Sequence, residues 1–423
     1  MSELVRAEAE RPGRLGTVPR WAARTYARMP RWAGILAVYV GARLITTLML
    51  LAATGLSGAP RSRFGPDATI ASFVSGWDAQ WYWYIAVYGY PTTLPLGADG
   101  HITQNSWAFL PLYPWVSQVV GLPFGAGGWP VGAVLVSLVA GYLCCLVLFR
   151  MMRGRIGRMA AVWTVVFFAA GPLGALFQVG YAEVLNMLFL LLALDALARR
   201  RYVRLYPLIV LMGFTRPGVL AFALMLGLML VVRGVRRKTD PLSRREIAHY
   251  LGLGVLSVVV GFAWQMIAGI ATGVPNAYLE TELSWRGFWM PQTGPVVFSP
   301  FEGWLSAVPY WAQLLGLPGW LGLVVLALLV GLFAAMLVFG PGVRRLGPEI
   351  RLFSASYGLY LLAVFFPQSS TMRLLFPLAP LWGAVGWRRS WWLRTAVLVV
   401  CLGLQWVWIA NVYGLANTFW RVP

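Results

Sequence analysis

The chain has 423 residues, with 34 lysines and arginines against 14 aspartates and glutamates, giving a formal net charge of +20. Its residues are 59% hydrophobic and only 11% charged, and its mean hydropathy is +0.69. Soluble globular proteins carry roughly 25% charged residues, so the composition excludes an ordinary soluble domain. It indicates an all-α polytopic membrane protein.

About eleven apolar stretches follow one another along the chain, most of them close to the length that crosses a hydrocarbon core of roughly 30 Å. Two of them are short and meet at Arg216-Pro217-Gly218, which predicts a kinked or re-entrant pair. The predicted spans are 33–54, 129–149, 159–176, 181–198, 203–214, 217–232, 248–272, 315–340, 352–367, 372–387 and 393–413.

The basic residues fall in clusters that occupy alternate loops between these spans. The positive-inside rule assigns such loops to the cytoplasm, so a basic tail at 1–32 and the N-terminus are expected inside, and the C-terminus outside. This orienting role accounts for the net charge without nucleic-acid binding. The clusters run from Arg6 to Arg31, Arg150 to Arg158, Arg199 to Arg204, Arg233 to Arg245, Arg344 to Arg351 and Arg388 to Arg394.

Two long segments, about 55–107 and 273–314, remain for the outer side of a transmembrane domain that covers 33–423. They are nearly free of basic residues, and function is therefore expected on the extracytoplasmic face of the cell membrane. The acids in these segments are Asp67, Asp78, Asp99, Glu280, Glu282 and Glu302.

Metal and nucleotide chemistry are not indicated. The two histidines, His101 and His249, and three cysteines within apolar spans show no zinc-type spacing. No Walker loop or GxGxxG fingerprint is present. The sequence therefore predicts no metal and no cofactor.

The stretch GWDAQWYWYIAVYGYP, from Gly76 to Pro91, surrounds a single acid, Asp78, with tyrosines and tryptophans. On a helical wheel it is aromatic nearly all round, which predicts a short helix at the membrane interface that ends at Gly89 and Pro91. In one interpretation Asp78 caps this helix. In the other, poor hydration makes the carboxylate more basic and suits it to an active site.

Five stretches resemble the GT-C mannosyltransferase family related to glycosylphosphatidylinositol mannosyltransferase 2, the PIG-V-like enzymes, and suggest a bacterial member. The resemblance covers most of the chain, and its most specific part is a Trp-Asp pair followed by Phe-x-Pro-x-x-Pro. Glu183 is followed here by Val, where the family commonly has Ser. In chain order the stretches are WDAQWYWYIAVYGY from Trp77, NSWAFLPLYP from Asn105, GYAEVLNMLFLLLAL from Gly180, FTRPGVL from Phe214 and RLLFPLAP from Arg373.

The resemblance implies the GT-C glycosyltransferase architecture, with an active site beneath the first outer loop. It also implies polyprenyl phosphate mannose as donor and an inverting transfer to a glycolipid, polysaccharide or protein of the cell envelope. The alternatives are another sugar, such as arabinofuranose or glucose, and a lipid or solute transporter without chemistry. Acids and arginines near the outer ends of spans favour an enzyme over a transporter.

Such a transfer needs a base for the acceptor hydroxyl and cations for the donor phosphate. Asp78 is the predicted base. Arg216, Arg373 and Arg43 are candidates for the phosphate, because arginine at membrane depth is usually paired or functional; pairing with Glu183 is the structural alternative for the first two. The predicted substrate-binding residues are Trp77, Trp81, Tyr82, His101, Asn105, Tyr181 and Glu183.

Three further acids lie outside this scheme. Asp195 lies four residues before Arg199 near the cytoplasmic end of its helix, which predicts a salt bridge. Glu280 and Glu282 fall in the second outer segment, whose ELSWRGFW composition is compatible with part of an acceptor groove. The sequence does not decide the role of either acid.

Overall fold

A computed structural model describes residues 30–60, 62–287 and 298–416. Within these ranges the secondary structure is helical apart from one isolated bridge between Leu96 and Ile102. The predicted all-α fold is confirmed. Nearly all of the predicted basic tail lies outside the described residues.

The helices are numbered here in chain order. They are α1 Arg31–Thr54, α2 Ile70–Val74, α3 Asp78–Tyr88, α4 Leu112–Gly121, α5 Trp129–Ile156, α6 Arg158–Ala169, α7 Glu183–Ala198, α8 Leu205–Gly213, α9 Val219–Val235, α10 Arg244–Thr272, α11 Ala277–Gly287, α12 Glu302–Leu314, α13 Gly319–Phe339, α14 Pro341–Arg344, α15 Pro348–Val364, α16 Thr371–Leu374, α17 Trp382–Gly386 and α18 Trp391–Ile409.

Five helices of the described chain are long and apolar enough to cross a membrane: α1, α5, α10, α13, and α18 with its continuation to Leu415. Shorter apolar helices accompany them at α6, α8 and α9. This set of apolar helices agrees with the multi-pass membrane protein that the composition indicates.

The break predicted around Arg216 is present. Helix α8 ends at Gly213 and α9 begins at Val219. Between them Gly218 has φ of +131°, a backbone conformation that is open mainly to glycine. The two helices together are therefore a broken pair, and the non-helical turn holds Arg216.

One predicted span is different in the structure. The stretch at 372–387 forms three short pieces: α16, a 3₁₀ segment at Phe376–Leu381, and α17. Pro377 and Pro380 lack the backbone N–H that a continuous α-helix requires, so an apolar composition does not give one helix here. For the same reason α6 ends at Ala169, shortly before Pro172, instead of continuing to 176.

The short helix predicted between Gly76 and Pro91 is present as α3, which ends at Tyr88 just before Gly89. The segments 55–107 and 273–314 also contain helices that the sequence pattern did not reveal, namely α2, α11 and α12. A further helix, α4, packs closely along α5. Gly132 of α5 permits this approach, because a Cβ there would clash with the backbone carbonyl of Ser117 and lie 2.6 Å from the backbone nitrogen of Gly121.

Gly132→Ala should therefore lower the free energy of unfolding by about 1–3 kcal/mol, since the backbone of α4 would have to move. Thermal unfolding of the purified protein in detergent measures the change. Gly154→Ala is the control in the same helix, because a Cβ at Gly154 meets nothing within 4 Å. Equal melting temperatures of the two variants would contradict the close contact between α4 and α5.

Candidate active site

Four charged side chains from separate parts of the chain meet at one place. Asp78 is the first residue of α3, Glu183 is the first residue of α7, Arg216 lies in the break before α9, and Arg373 lies in α16. We call these four residues the charge cluster. The sequence analysis identified each of them as a candidate site residue, and the structure brings all four together.

The charge cluster is a chain of alternating charges. Arg373 pairs with Asp78 through Nη1 and Oδ2, and its Nε lies 3.2 Å from Oε1 of Glu183. Nη1 of Arg216 lies 2.7 Å from the same Glu183 oxygen. Two carboxylates and two guanidinium groups give a net charge of zero, so the cluster is electrically balanced.

Burial makes these pairs depend on one another. The side chains of Glu183 and Arg373 are 3% and 8% exposed, whereas those of Asp78 and Arg216 are 20% and 15% exposed. A charge removed from water is tolerated when an opposite charge neutralises it. The two central members are therefore held by pairing, and Asp78 is the member most open to a substrate.

The N-termini of two helices also stabilise the acids of the charge cluster. Asp78 and Glu183 stand at the N-termini of helices of 11 and 16 residues, where the helix dipole stabilises a negative charge. The interpretation of Asp78 as a helix cap is wrong, because the N-cap is Trp77 and no side chain caps this helix. Trp77 has φ of +56°, and its indole N–H donates to the carbonyl of Val412 (2.9 Å).

Aromatic rings line the charge cluster. The guanidinium of Arg373 lies over the ring of buried Tyr181, 5.1 Å from its centroid. Trp81 stacks on Phe109 with a centroid distance of 5.8 Å, and buried Tyr82 meets Phe109 edge-on at 5.3 Å. Three predicted substrate-binding residues thus form apolar walls, which strengthen electrostatic interactions by excluding water.

Asn105 connects the two long segments at 55–107 and 273–314. Its side-chain oxygen accepts a hydrogen bond from the backbone N–H of Trp107 (3.0 Å), and its amide donates to Oγ1 of Thr281 in α11 (2.8 Å). His101, by contrast, is exposed, and its backbone N–H donates to Oδ1 of Asp99 (3.1 Å). The structure gives Asn105 a positioning role and does not bring His101 into the ion pairs of the cluster.

Arg43 also lies apart from the charge cluster. Its buried guanidinium donates to the backbone carbonyls of Gly174 and Ala169 and lies over the ring of Phe177, 4.5 Å from the centroid. These contacts join α1 to the last residue of α6 and to the segment that follows it. They favour a structural role for Arg43 over phosphate binding.

The sequence left Glu282 unassigned, and the structure places it beside the charge cluster. It lies in α11 between Thr281, which meets Asn105, and Trp285, whose ring contacts that of Trp81 edge-on at 6.0 Å. Burial raises the pKa of the half-buried Glu282 to about 7, and the charges of Arg216 and Asp78 also act on it, in opposite directions. No motif or apolar period marks this residue in the sequence.

The predicted pairing of Asp195 is confirmed at the other end of α7. Arg199 Nε lies 3.0 Å from Oδ2 of Asp195, and Arg150 Nη2 lies 2.8 Å from the same oxygen. Asp195 is thus a structural acid.

No family model matches the sequence, and no curated protein is related to it at a significant level. Solved structures give fold-level similarities at low identity. The chain resembles ArnT from Cupriavidus metallidurans bound to undecaprenyl phosphate, with 17% identity, 90% of this chain and 65% of that chain covered, and a TM-score of 0.48.

The oligosaccharyltransferase of Archaeoglobus fulgidus in complex with Zn and sulfate gives 15% identity and a TM-score of 0.39, covering 88% of this chain and 53% of that one. The chain thus spans less than two thirds of the length of either structure. At these scores and identities the similarities alone assign no activity.

The raised pKa of Glu282 predicts a pH-dependent stability. The folded protein holds a proton that the unfolded chain, with a carboxyl pKa near 4.5, releases earlier. Stability from this group is therefore complete below about pH 4.5 and is lost as the pH rises through about 7.

Melting temperatures of wild type and Glu282→Gln at several values between pH 5 and 8.5 measure this effect. The wild type should lose more stability than the variant as the pH rises, because the amide stays neutral. Glu280→Gln removes an acid from the same helix and is the control. Parallel pH profiles for wild type and Glu282→Gln would contradict the prediction.

Proposed function

We propose that this chain is a GT-C membrane glycosyltransferase that transfers mannose, with inversion, from polyprenyl phosphate mannose to an extracytoplasmic glycolipid, polysaccharide or protein. The observation that carries the proposal is the charge cluster. It joins one accessible carboxylate, Asp78, to two arginines among aromatic walls. The sequence stretches that resemble PIG-V-like enzymes contain all four residues of the charge cluster.

The arginines suit the donor phosphate. A guanidinium is planar and can offer two parallel N–H groups to phosphate oxygens, and it stays charged at any physiological pH. Arg373 and Arg216 already lie within 3.2 and 2.7 Å of one carboxylate oxygen of Glu183. A phosphate bound by both would receive donors from two guanidinium groups.

Donor binding would also change the state of Asp78. Without donor, Arg373 neutralises this carboxylate. A phosphate that binds Arg373 competes with Asp78 for the same guanidinium. The carboxylate of Asp78 would thus be free to accept the proton of the acceptor hydroxyl when the donor is in place.

The reaction follows from this arrangement. The acceptor hydroxyl oxygen attacks the anomeric carbon while its proton passes to Asp78. The bond between that carbon and the phosphate oxygen breaks, and its electron pair stays on the polyprenyl phosphate, which the arginines stabilise. The phosphate leaves readily, so a separate acid catalyst is not required.

The sugar, the acceptor and the absence of a metal requirement are tested together. Purified protein is incubated with radiolabelled polyprenyl phosphate mannose and a membrane extract, with and without EDTA. Label should pass to a membrane acceptor in both conditions, because the arginines supply the positive charge. The same assay is run with arabinose and glucose donors, and transfer from these alone would replace mannose in the proposal. Loss of transfer in EDTA that Mg²⁺ or Mn²⁺ restores would show a metal shared by Asp78.

Asp78→Asn should lower turnover by about 10²-fold or more, because the amide keeps the shape of the side chain but accepts no proton. Donor binding should survive. Asp99→Asn, a change of the same kind in an exposed part of the outer segment, is the control for assay and expression. An Asp78→Asn protein that folds and keeps more than about a tenth of wild-type turnover would contradict the role of base.

Arg373→Lys and Arg216→Lys should each raise the KM for donor, and the alanine variants should raise it further, since an ammonium cannot form the two parallel hydrogen bonds. A lost hydrogen bond to a charged group corresponds to about 10–100-fold. The lysine variants keep a cation beside Glu183 and so guard against misfolding. Arg150→Ala, which breaks the pair with Asp195, is the control, and wild-type donor kinetics in all four variants would exclude these arginines.

A further inference from the structure

A cavity of about 690 Å³ lies at the far ends of the helices that begin at the charge cluster. Helix α7 runs from Glu183 to Ala198, and α9 runs from just after Arg216 to Val235. At a rise of about 1.5 Å per residue, α7 alone spans roughly 24 Å. The cavity is therefore separate from the proposed active site. Its walls include Arg200, Arg201, Arg204, Arg245, Glu246 and His249.

A buried network fixes the cavity wall. Arg233 is 5% exposed, and it pairs with Asp240 (3.0 Å) and Glu246 (2.9 Å). It also donates to the hydroxyl of Tyr202 (3.0 Å). The Tyr202 ring stacks on His249 at 5.4 Å. Since Glu246 is already bound to Arg233 and Tyr202, its charge is largely engaged within the wall.

One of the four arginines that face the cavity is neutralised by acids, and the other three are not. Arg200 pairs with Asp240 (2.5 Å) and lies 3.5 Å from Glu246. Arg201, Arg204 and Arg245 are exposed, and none of them forms an ion pair within the described ranges. Three guanidinium groups around one cavity repel one another, and an anion between them would remove that repulsion.

The cavity also lies at the level of a membrane surface. Arg245, Glu246 and His249 belong to the first turns of α10, which is one of the helices apolar enough to cross a membrane. Phosphate headgroups occupy the layer where such a helix leaves the hydrocarbon core. Basic pockets between helices at this level bind anionic headgroups.

We propose that this cavity binds the phosphate headgroup of an anionic membrane lipid through Arg201, Arg204 and Arg245. Basic residues that only orient a protein in the membrane need no cavity, and they need no buried network to shape one. This part of the protein has both a cavity and such a network. Guanidinium groups also match phosphate oxygens. The site does not depend on the proposed transferase activity.

Thermal unfolding of the full chain in detergent tests the proposal, with phosphatidylglycerol, phosphatidylcholine or inorganic phosphate added. A ligand that binds the folded state raises the melting temperature with its concentration. Phosphatidylglycerol should stabilise the wild type more than phosphatidylcholine does. The triple variant Arg201→Ala, Arg204→Ala, Arg245→Ala should show about half of that stabilisation or less.

A second triple variant, Arg153→Ala, Arg158→Ala, Arg389→Ala, removes the same charge from exposed positions outside the cavity and should respond as the wild type does. Native mass spectrometry independently counts the phosphatidylglycerol molecules that each protein retains. A cooperative melting transition in phosphatidylcholine confirms that each variant folds. Equal losses in both triple variants, or no preference for phosphatidylglycerol, would overturn the proposal. If inorganic phosphate alone raised the melting temperature as much as phosphatidylglycerol does, the assignment to a lipid would be overturned.

Discussion

The structure depends on one guanidinium that is held between two carboxylates. Arg373 is nearly buried and contacts Asp78 on one side and Glu183 on the other. Asp78, Glu183 and Arg373 lie in the first, second and last quarters of the chain. Removing one partner from a buried ion pair costs about 3–5 kcal/mol, because the remaining charge stays out of water. The same contact that could serve chemistry thus also joins α3, α7 and α16.

Interrupted helices make this arrangement possible. A continuous membrane helix satisfies its own backbone and offers only side chains to the interior. Here α7 begins and α8 ends inside the bundle, and the chain between α8 and α9 carries Arg216. The first turns of α3 and α7 add unpaired N–H groups that favour anions. Polar backbone and charged side chains are therefore concentrated at one place within an apolar protein.

Sequence reasoning identified the members of the charge cluster because acids and arginines are conspicuous in an apolar context. It also offered Glu183 as the partner of Arg216 and Arg373, and the structure shows both pairs. It did not reveal the pair between Arg373 and Asp78. Arg43 gives the same signal as Arg373, yet its partners are backbone carbonyls that no side-chain pattern marks. Glu282 was left without a role because α11 is short and polar, and its position depends on packing against another segment. The span at 372–387 was predicted as one helix since hydropathy does not register Pro377 and Pro380.

The hydrogen bond between Asn105 and Thr281 has a consequence for biosynthesis. Its two partners are 176 residues apart in the chain, and the ribosome makes the first long before the second. The segment around Asn105 therefore lacks this hydrogen bond until Thr281 of α11 has been synthesised. Arg373 is made later still, so its ion pair with Asp78 forms only near the end of synthesis. Nascent chains released before that point would contain the aromatic helix and its acid but not the ion pairs that hold them.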